Sequence, residues 1–302
     1  MRRRKTLWLR SAAALGAFRL LASTGAGQAA EQPLFQFGAI ADCQYHDSEA
    51  ERRKYSRSPE KLRACIADFN RQELSHVVHL GDFIDRDWES FDVVLPIAAT
   101  SKARFYHVLG NHDFSVADEY KSRVPERLGL TERYYDFAVG KWRFLILDTN
   151  DLSLYGHPKD SPEHARSLAY FEASPIDLKA YNGGIGERQL AWIEAALEKA
   201  EAAGEAVILH SHHPVYPIDH HAAWNAEEIT ALLEKYPCVA AYINGHRHDG
   251  AYGYKGGIHY LTLKGMVDTE ETAYASVKVF EDRIEVHGEG RQDDYFLEIR
   301  SR

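Results

Sequence analysis

From residue 34 onward, short apolar runs stop on polar residues and alternate with longer stretches of helical period. "FQFGAIAD" (35–42), "HVVHLGD" (76–82), "RFYHVLGNHD" (104–113), "WRFLILDTN" (142–150), "AVILHSHHP" (206–214) and "VAAYINGH" (239–246) each predict a buried strand that opens into a loop. Between them, "SPEKLRACIADFNRQE" (58–73) opens on a serine with proline after it, a helix start. "GERQLAWIEAALEKAEAAG" (186–204) puts Leu190, Ile193 and Leu197 on one face and stops at Gly204, and "NAEEITALLEKYP" (225–237) behaves alike. "IHYLTLKG" and "AYASVKVFEDRIEVHG" predict further strands, with a turn near Glu281-Asp282. The order is that of an α/β fold. Residues 151–186 have several prolines and glycines and no clear period, so a long insertion of loops over one face is expected there. No repeat, low-complexity tract or linker divides the chain, which predicts one domain over 31–302.

The first thirty residues differ. Basic "MRRRKTLWLR", apolar "SAAALGAF" and small-residue "GAGQAAEQ" follow in the order of a secretory signal peptide, and a periplasmic or secreted protein is expected. The alternative is a disordered basic tail on a cytoplasmic protein, which Arg19 inside the apolar stretch favours. Without that stretch, 30 basic residues face 45 acidic ones, a net charge of −15. That excludes the basic field of a nucleic-acid binder. No run reaches the length of a membrane span, so the mature chain is expected to be soluble. Three distant cysteines, Cys43, Cys65 and Cys238, form no disulfide framework.

The strand endings carry the chemistry. They supply Asp42 and Gln44; Gly81-Asp82 and Asp85-Arg86; Gly110-Asn111-His112-Asp113; Ser211-His212-His213-Pro214; and Gly245-His246-Arg247-His248. Each alone reads as a turn or an ordinary surface residue. Five together, in order, at the carboxyl ends of strands where α/β sheets build their sites, predict one metal-binding cluster.

This combination resembles the calcineurin-like metallophosphoesterases: Asp-x-[His/Gln], Gly-Asp-x-x-Asp, Gly-Asn-His-[Asp/Glu], His-x-Pro and Gly-His-x-His occur in that order across about 34–290. The resemblance implies a sandwich of two mixed β-sheets flanked by helices, with a two-metal centre at one edge. It implies that Asp42, Gln44, Asp82 and His248 hold one metal. Asp82, Asn111, His212 and His246 then hold the other, with Asp82 bridging and His210 and His213 as mere neighbours. His112 is implied as general acid, Asp85 as the residue that orients it, and Arg86 as a phosphate contact. Four metal charges less Asp42, Asp82 and a bridging hydroxide leave about +1, which favours an anionic phosphate. Gln44 puts a neutral oxygen donor where imidazole is the alternative, and this suits Mn²⁺ or Mg²⁺ better than Zn or Fe.

"FGAIADCQY", "DLSLYG", "YNGGIGERQLAWIEAAL", "SHHPVYP", "AWN" (223–225) and "NGHRHDGAY" further resemble the manganese-dependent ADP-ribose/CDP-alcohol diphosphatases. That implies hydrolysis of a nucleoside diphosphate-X compound, CDP-choline among them, by attack of metal-bound hydroxide on the phosphoanhydride. The alternatives are a phosphomonoesterase or cyclic-nucleotide phosphodiesterase on the same fold. A non-catalytic scaffold is a further alternative, although every ligand position and His112 are filled by competent residues.

Overall fold

Period-two alternation at the first strand shows how the layers arise. In this computed structural model, which describes residues 31–299, Phe37, Ala39 and Ala41 face one core and Ile40 faces another, around β1 (Phe35–Ile40). The chain continues through α1 (Ser58–Phe69), β2 (His76–His79), α2 (Phe91–Ala98), β3 (Arg104–His107) and a single turn, α3 (Val124–Arg127). Then come β4 (Tyr135–Val139), β5 (Trp142–Ile146), β6 (Leu152–Ser153), α4 (Pro162–Ala173), β7 (Gly183–Gly184) and α5 (Glu187–Ala202). β8 (Ala206–Ser211), α6 (Ala226–Leu233), β9 (Val239–Asn244), β10 (Ala251–Lys255) and β11 (Ile258–Thr262) follow. β12 (Ala273–Val279), β13 (Arg283–Gly290) and β14 (Tyr295–Glu298) close the fold. These elements belong to one unit that begins at Pro33. The leader expected at 1–30 lies outside the described residues.

Two mixed sheets result, ordered β14-β13-β12-β1-β2-β3 and β10-β11-β9-β8-β5-β4, with β6 and β7 paired apart as a ribbon. β1, β2 and β3 are parallel in the first sheet, and β5, β8, β9 and β11 in the second. Phe37, Val78 and Leu80 of the first sheet pack with Phe144, Ile208 and Ile243 of the second. Outside this sandwich, Leu62, Ile66 and Phe69 of α1 cover the first sheet, and Ile193, Leu197, Ile229 and Leu233 of α5 and α6 cover the second. Each such side chain contributes ~1.5–3 kcal/mol by leaving water. The strand ends therefore hang from a rigid frame. Among the described residues no helix is long and apolar enough to cross a membrane.

Three details differ from the expectation. The 151–186 segment is not all loop, because it contains α4, whose Ser161 hydroxyl accepts from the His164 N–H and caps the first turn. Only Ser167 of α4 is buried, so no apolar stripe marked it. Ser58 does not cap α1, because a 3₁₀ turn, Tyr55–Arg57, leads straight into the helix. The edge strands β4, β10 and β14 were not expected; β4 and β10 have no buried residue, although Tyr135, Phe137 and Val139 of β4 pack on the core.

Candidate metal centre

The five strand-end loops meet at one rim. Asp42 N–H donates to Gly81 O at 3.2 Å and Gly245 N–H to His212 O at 3.1 Å, which ties the loop after β1 to that after β2 and the loop after β9 to that after β8. Asp42 lies across the sandwich from His246, whose backbone N–H donates to both Asp42 carboxylate oxygens at 3.2 and 3.1 Å. Four of the expected ligands sit in left-handed backbone: Asp42 (φ 51), Gln44 (φ 43), Asp82 (φ 58) and His246 (φ 69). Non-glycine residues held there cost of order 1–3 kcal/mol each and concentrate at functional sites.

Asp113 holds the Asp82 turn. Its buried carboxylate accepts from the backbone N–H groups of Asp82 (3.2 Å), Phe83 (2.8 Å), Ile84 (3.4 Å) and Gly110 (2.9 Å). Two glycines are required by close approach. A Cβ on Gly81, whose φ is +93°, would lie 2.5 Å from His212 Nδ1, and one on Gly110 would lie 2.1 Å from Asp82 N. Burial and the nearby Asp82 charge push Asp113 up to about 7.

Asp82 sits at the centre. Its Oδ1 accepts from His112 N–H at 2.7 Å, and its Oδ2 accepts from Gln44 Nε2 at 3.0 Å and lies 3.3 Å from His212 Nε2. His212 Nδ1 faces Leu80 O at 2.9 Å and donates to it, which turns Nε2 toward the carboxylates. Around that Nε2 stand Asn111 Oδ1 at 3.0 Å and His246 Nδ1 at 3.2 Å. His248 Nδ1 is paired with Asp268 Oδ1 at 2.8 Å, and its Nε2 lies 3.5 Å from Asp42 Oδ1. The Asp42, Asp82 and His212 donor atoms fall within 4.8 Å of one another. The Gln44 amide oxygen is buried without a hydrogen-bond partner.

Buried electron-pair donors packed this closely are costly unless protons or a cation satisfy them. The charges agree. Burial opposes protonation of His212, yet Asp82 and Asp42 outweigh it and push the ring up to about 9. Burial likewise opposes protonation of His248, which Asp42 and Asp268 push up to about 9. Burial raises Asp82, but His212 and His112 bring it well below the carboxylate range. The pocket draws positive charge, and its oxygen and imidazole donors fit divalent metal ions.

His112 and Asp85 lie beside this cluster. His112 Nδ1 is 3.0 Å from Asp85 O and 3.2 Å from its Oδ1, while Arg86 closes on Asp85 Oδ2 with Nε at 2.7 Å and a terminal nitrogen at 2.6 Å. Burial lowers the His112 pKa, but Asp82 and Asp85 reverse that and raise it. His210 turns away into the core, stacked 5.8 Å from Phe144. His213 packs edge-on to His246 at 4.3 Å and is also within metal reach of His212 and His246, but its Nδ1 bonds the Thr149 hydroxyl at 2.8 Å. Asp268, on the loop before β12, is the partner that sequence reading missed, because a lone aspartate between two strands carries no spacing signal.

Comparison with known proteins agrees with this geometry. The family model of the calcineurin-like phosphoesterases matches residues 35–250. The manganese-dependent ADP-ribose/CDP-alcohol diphosphatase of Danio rerio is 31% identical over 87% of this chain and 98% of its own, and that of Arabidopsis thaliana is 30% identical over 88% and 97%. The crystal structure of a dimetal phosphatase from Danio rerio superposes with a TM-score of 0.80 at 29% identity, over 89% of this chain and 100% of that one. The chain belongs to the calcineurin-like phosphoesterases, and within them to the family of the manganese-dependent ADP-ribose/CDP-alcohol diphosphatases.

Proposed function

We propose that the protein hydrolyses nucleoside diphosphate-X compounds, of the ADP-ribose and CDP-alcohol type, with two divalent ions, Mn²⁺ first among them. The observation that carries this reading is the convergence of Asp42, Gln44, Asp82, Asn111, His212, His246 and His248 beside a histidine held by an aspartate. Asp42, Gln44, Asp82 and His248 would hold one ion; Asp82, Asn111, His212 and His246 would hold the other. When bound, the ions supply Lewis acidity and lower the pKa of coordinated water toward ~7. In the reaction a water oxygen bonds to one phosphorus and the bridging P–O bond breaks. The leaving phosphate oxygen takes a proton from His112, the attacking water gives up one proton to solvent and His112 regains one from solvent, which gives a nucleoside monophosphate and X-phosphate. A raised His112 pKa keeps that proton available near neutrality. Asp85 fixes the ring through Nδ1 and leaves Nε2 to face the substrate, and Arg86 holds Asp85 and brings a positive charge to the rim.

The test is hydrolysis of ADP-ribose, CDP-choline, 2′,3′-cyclic AMP and an aryl phosphate monoester with Mn²⁺, Mg²⁺ or Zn²⁺. Preference for the first two under Mn²⁺ supports the reading. Preference for the cyclic nucleotide or the monoester would replace it with a phosphodiesterase or monoesterase, and turnover of none would leave a scaffold.

We also propose that residues 1–30 are a leader and that the mature domain works in the periplasm or outside the cell on small molecules, with no part for nucleic acid. Mass spectrometry of protein from its own host should find a new N-terminus near Glu31. An intact Met1 on cytoplasmic protein would overturn this.

A further inference from the structure

We propose that Asn182, in the 151–186 segment, is a positioning residue that selects the tautomer of His246 and thereby aims its Nδ1 at the metal; this rests on the two-ion reading above. Asn182 Nδ2 lies 3.0 Å from His220 O and 2.9 Å from Ala222 O. Both are carbonyls, which only accept, so the NH₂ end of the amide faces them. The other end, Oδ1, is then the atom 2.8 Å from His246 Nε2. An amide oxygen also only accepts. His246 Nε2 must therefore carry the proton, and a neutral imidazole has only one to place. Its Nδ1 is left as a lone pair, 3.2 Å from the Nε2 of His212, a ring held by its Nδ1–H bond to Leu80 O.

The side chain is rigidly mounted. Asn182 is 2% exposed and precedes β7. Behind it Gly183 lies so close to the chain that a Cβ would meet Thr149 O at 2.2 Å, and Trp224 N–H donates to Gly183 O at 2.7 Å. Outer partners of this kind fix ring orientation and ligand basicity, and their loss typically costs ~10–100-fold in metal affinity. The segment that reads as an insertion thus supplies part of the metal centre.

Two measurements test this: Mn²⁺ titration calorimetry of the metal-free chain, and ¹⁵N NMR of its histidine rings. In the wild type, His246 should show the Nε2–H tautomer before any metal is added. Asn182→Ala should mix the tautomers and weaken one of two Mn²⁺ ions ~10–100-fold, while the other keeps its affinity. Asn182→Asp keeps an acceptor for Nε2–H but loses both donors to the 220–222 loop, so it should hold Mn²⁺ within about threefold of wild type despite a less stable loop. If Asn182 only ties that loop, Asp and Ala weaken loop stability together and leave both ions and the tautomer unchanged, and the proposal is wrong. An Nδ1–H tautomer in the wild-type protein overturns it without any variant. A wild type that binds no Mn²⁺ overturns the two-ion reading itself.

Discussion

Gln44 has two tasks in one amide: Nε2 donates to Asp82 Oδ2 at 3.0 Å, and Oε1 is left buried and unmatched. An imidazole at this position would keep a donor atom but make it softer. Gln44→His should accordingly move relative activity from Mn²⁺ toward Zn²⁺ and Fe²⁺. Gln44→Ala should raise the Mn²⁺ concentration for half activity by at least about tenfold, since it removes a donor from the proposed site. Metal titration of diphosphatase activity decides, and three superimposable curves would show that Gln44 does not touch the ions. His112 has a different signature. His112→Ala should keep both ions yet slow phosphoanhydride cleavage by ~10²–10⁴-fold and aryl-ester cleavage far less, because an activated leaving group needs no proton. Asp85→Asn should give a weaker form of the same split. Equal losses on both substrates would make His112 a phosphate holder.

At the scale of elements, the turns after β2 and β3 are built against each other. Gly110→Ala would drive a Cβ to within 2.2 Å of both Asp82 N and Asp82 Oδ1, and the backbone has to give way. The expected result is a loss of ~1–3 kcal/mol in stability, as for other overpacked sites, and fewer than two Mn²⁺ ions bound at equilibrium dialysis. Retention of both ions would mean that the Asp82 turn tolerates a shift. Legibility varied by element for physical reasons. β8 and β9 were plain because strands buried on both faces read as near-continuous apolar runs, and β1 and β2 because their apolar residues run straight into Asp42 and Gly81-Asp82. α5 was plain because one face is buried, with Ile193 and Leu197 fully so. α4 was invisible because it lies on the outside and only its Ser161-Pro162 start carries a signal.

The whole molecule buries histidines that take no part in the site, and these couple its stability to pH. Burial lowers His76 and His210 to about 3 and His107 to about 4, against an ordinary value of 6.5. Below pH 6.5 the unfolded chain takes up these protons and the folded one does not. Stability is therefore full above that pH and falls as pH drops toward the folded values, by up to ~1.4 kcal/mol per pH unit for each ring. His76 is stacked 4.8 Å from Phe37 among aromatic rings, so His76→Phe fits the site. Denaturant unfolding at pH 7, 5.5 and 4.5 should show the variant losing less stability than wild type, by a difference that grows to about 1.4 kcal/mol per pH unit well below pH 6.5; parallel losses would mean that His76 is protonated in the fold. By itself, the sequence determined which strands end in candidate metal-binding residues and the order in which they come, because apolar period and short motifs are local properties of the chain. Only the tertiary structure decided which proton each imidazole carries. The partners that set it for His212, His248 and His246 (Leu80 O, Asp268 and Asn182) come from distant loops. Nothing local in the chain records which distant group will face a given nitrogen.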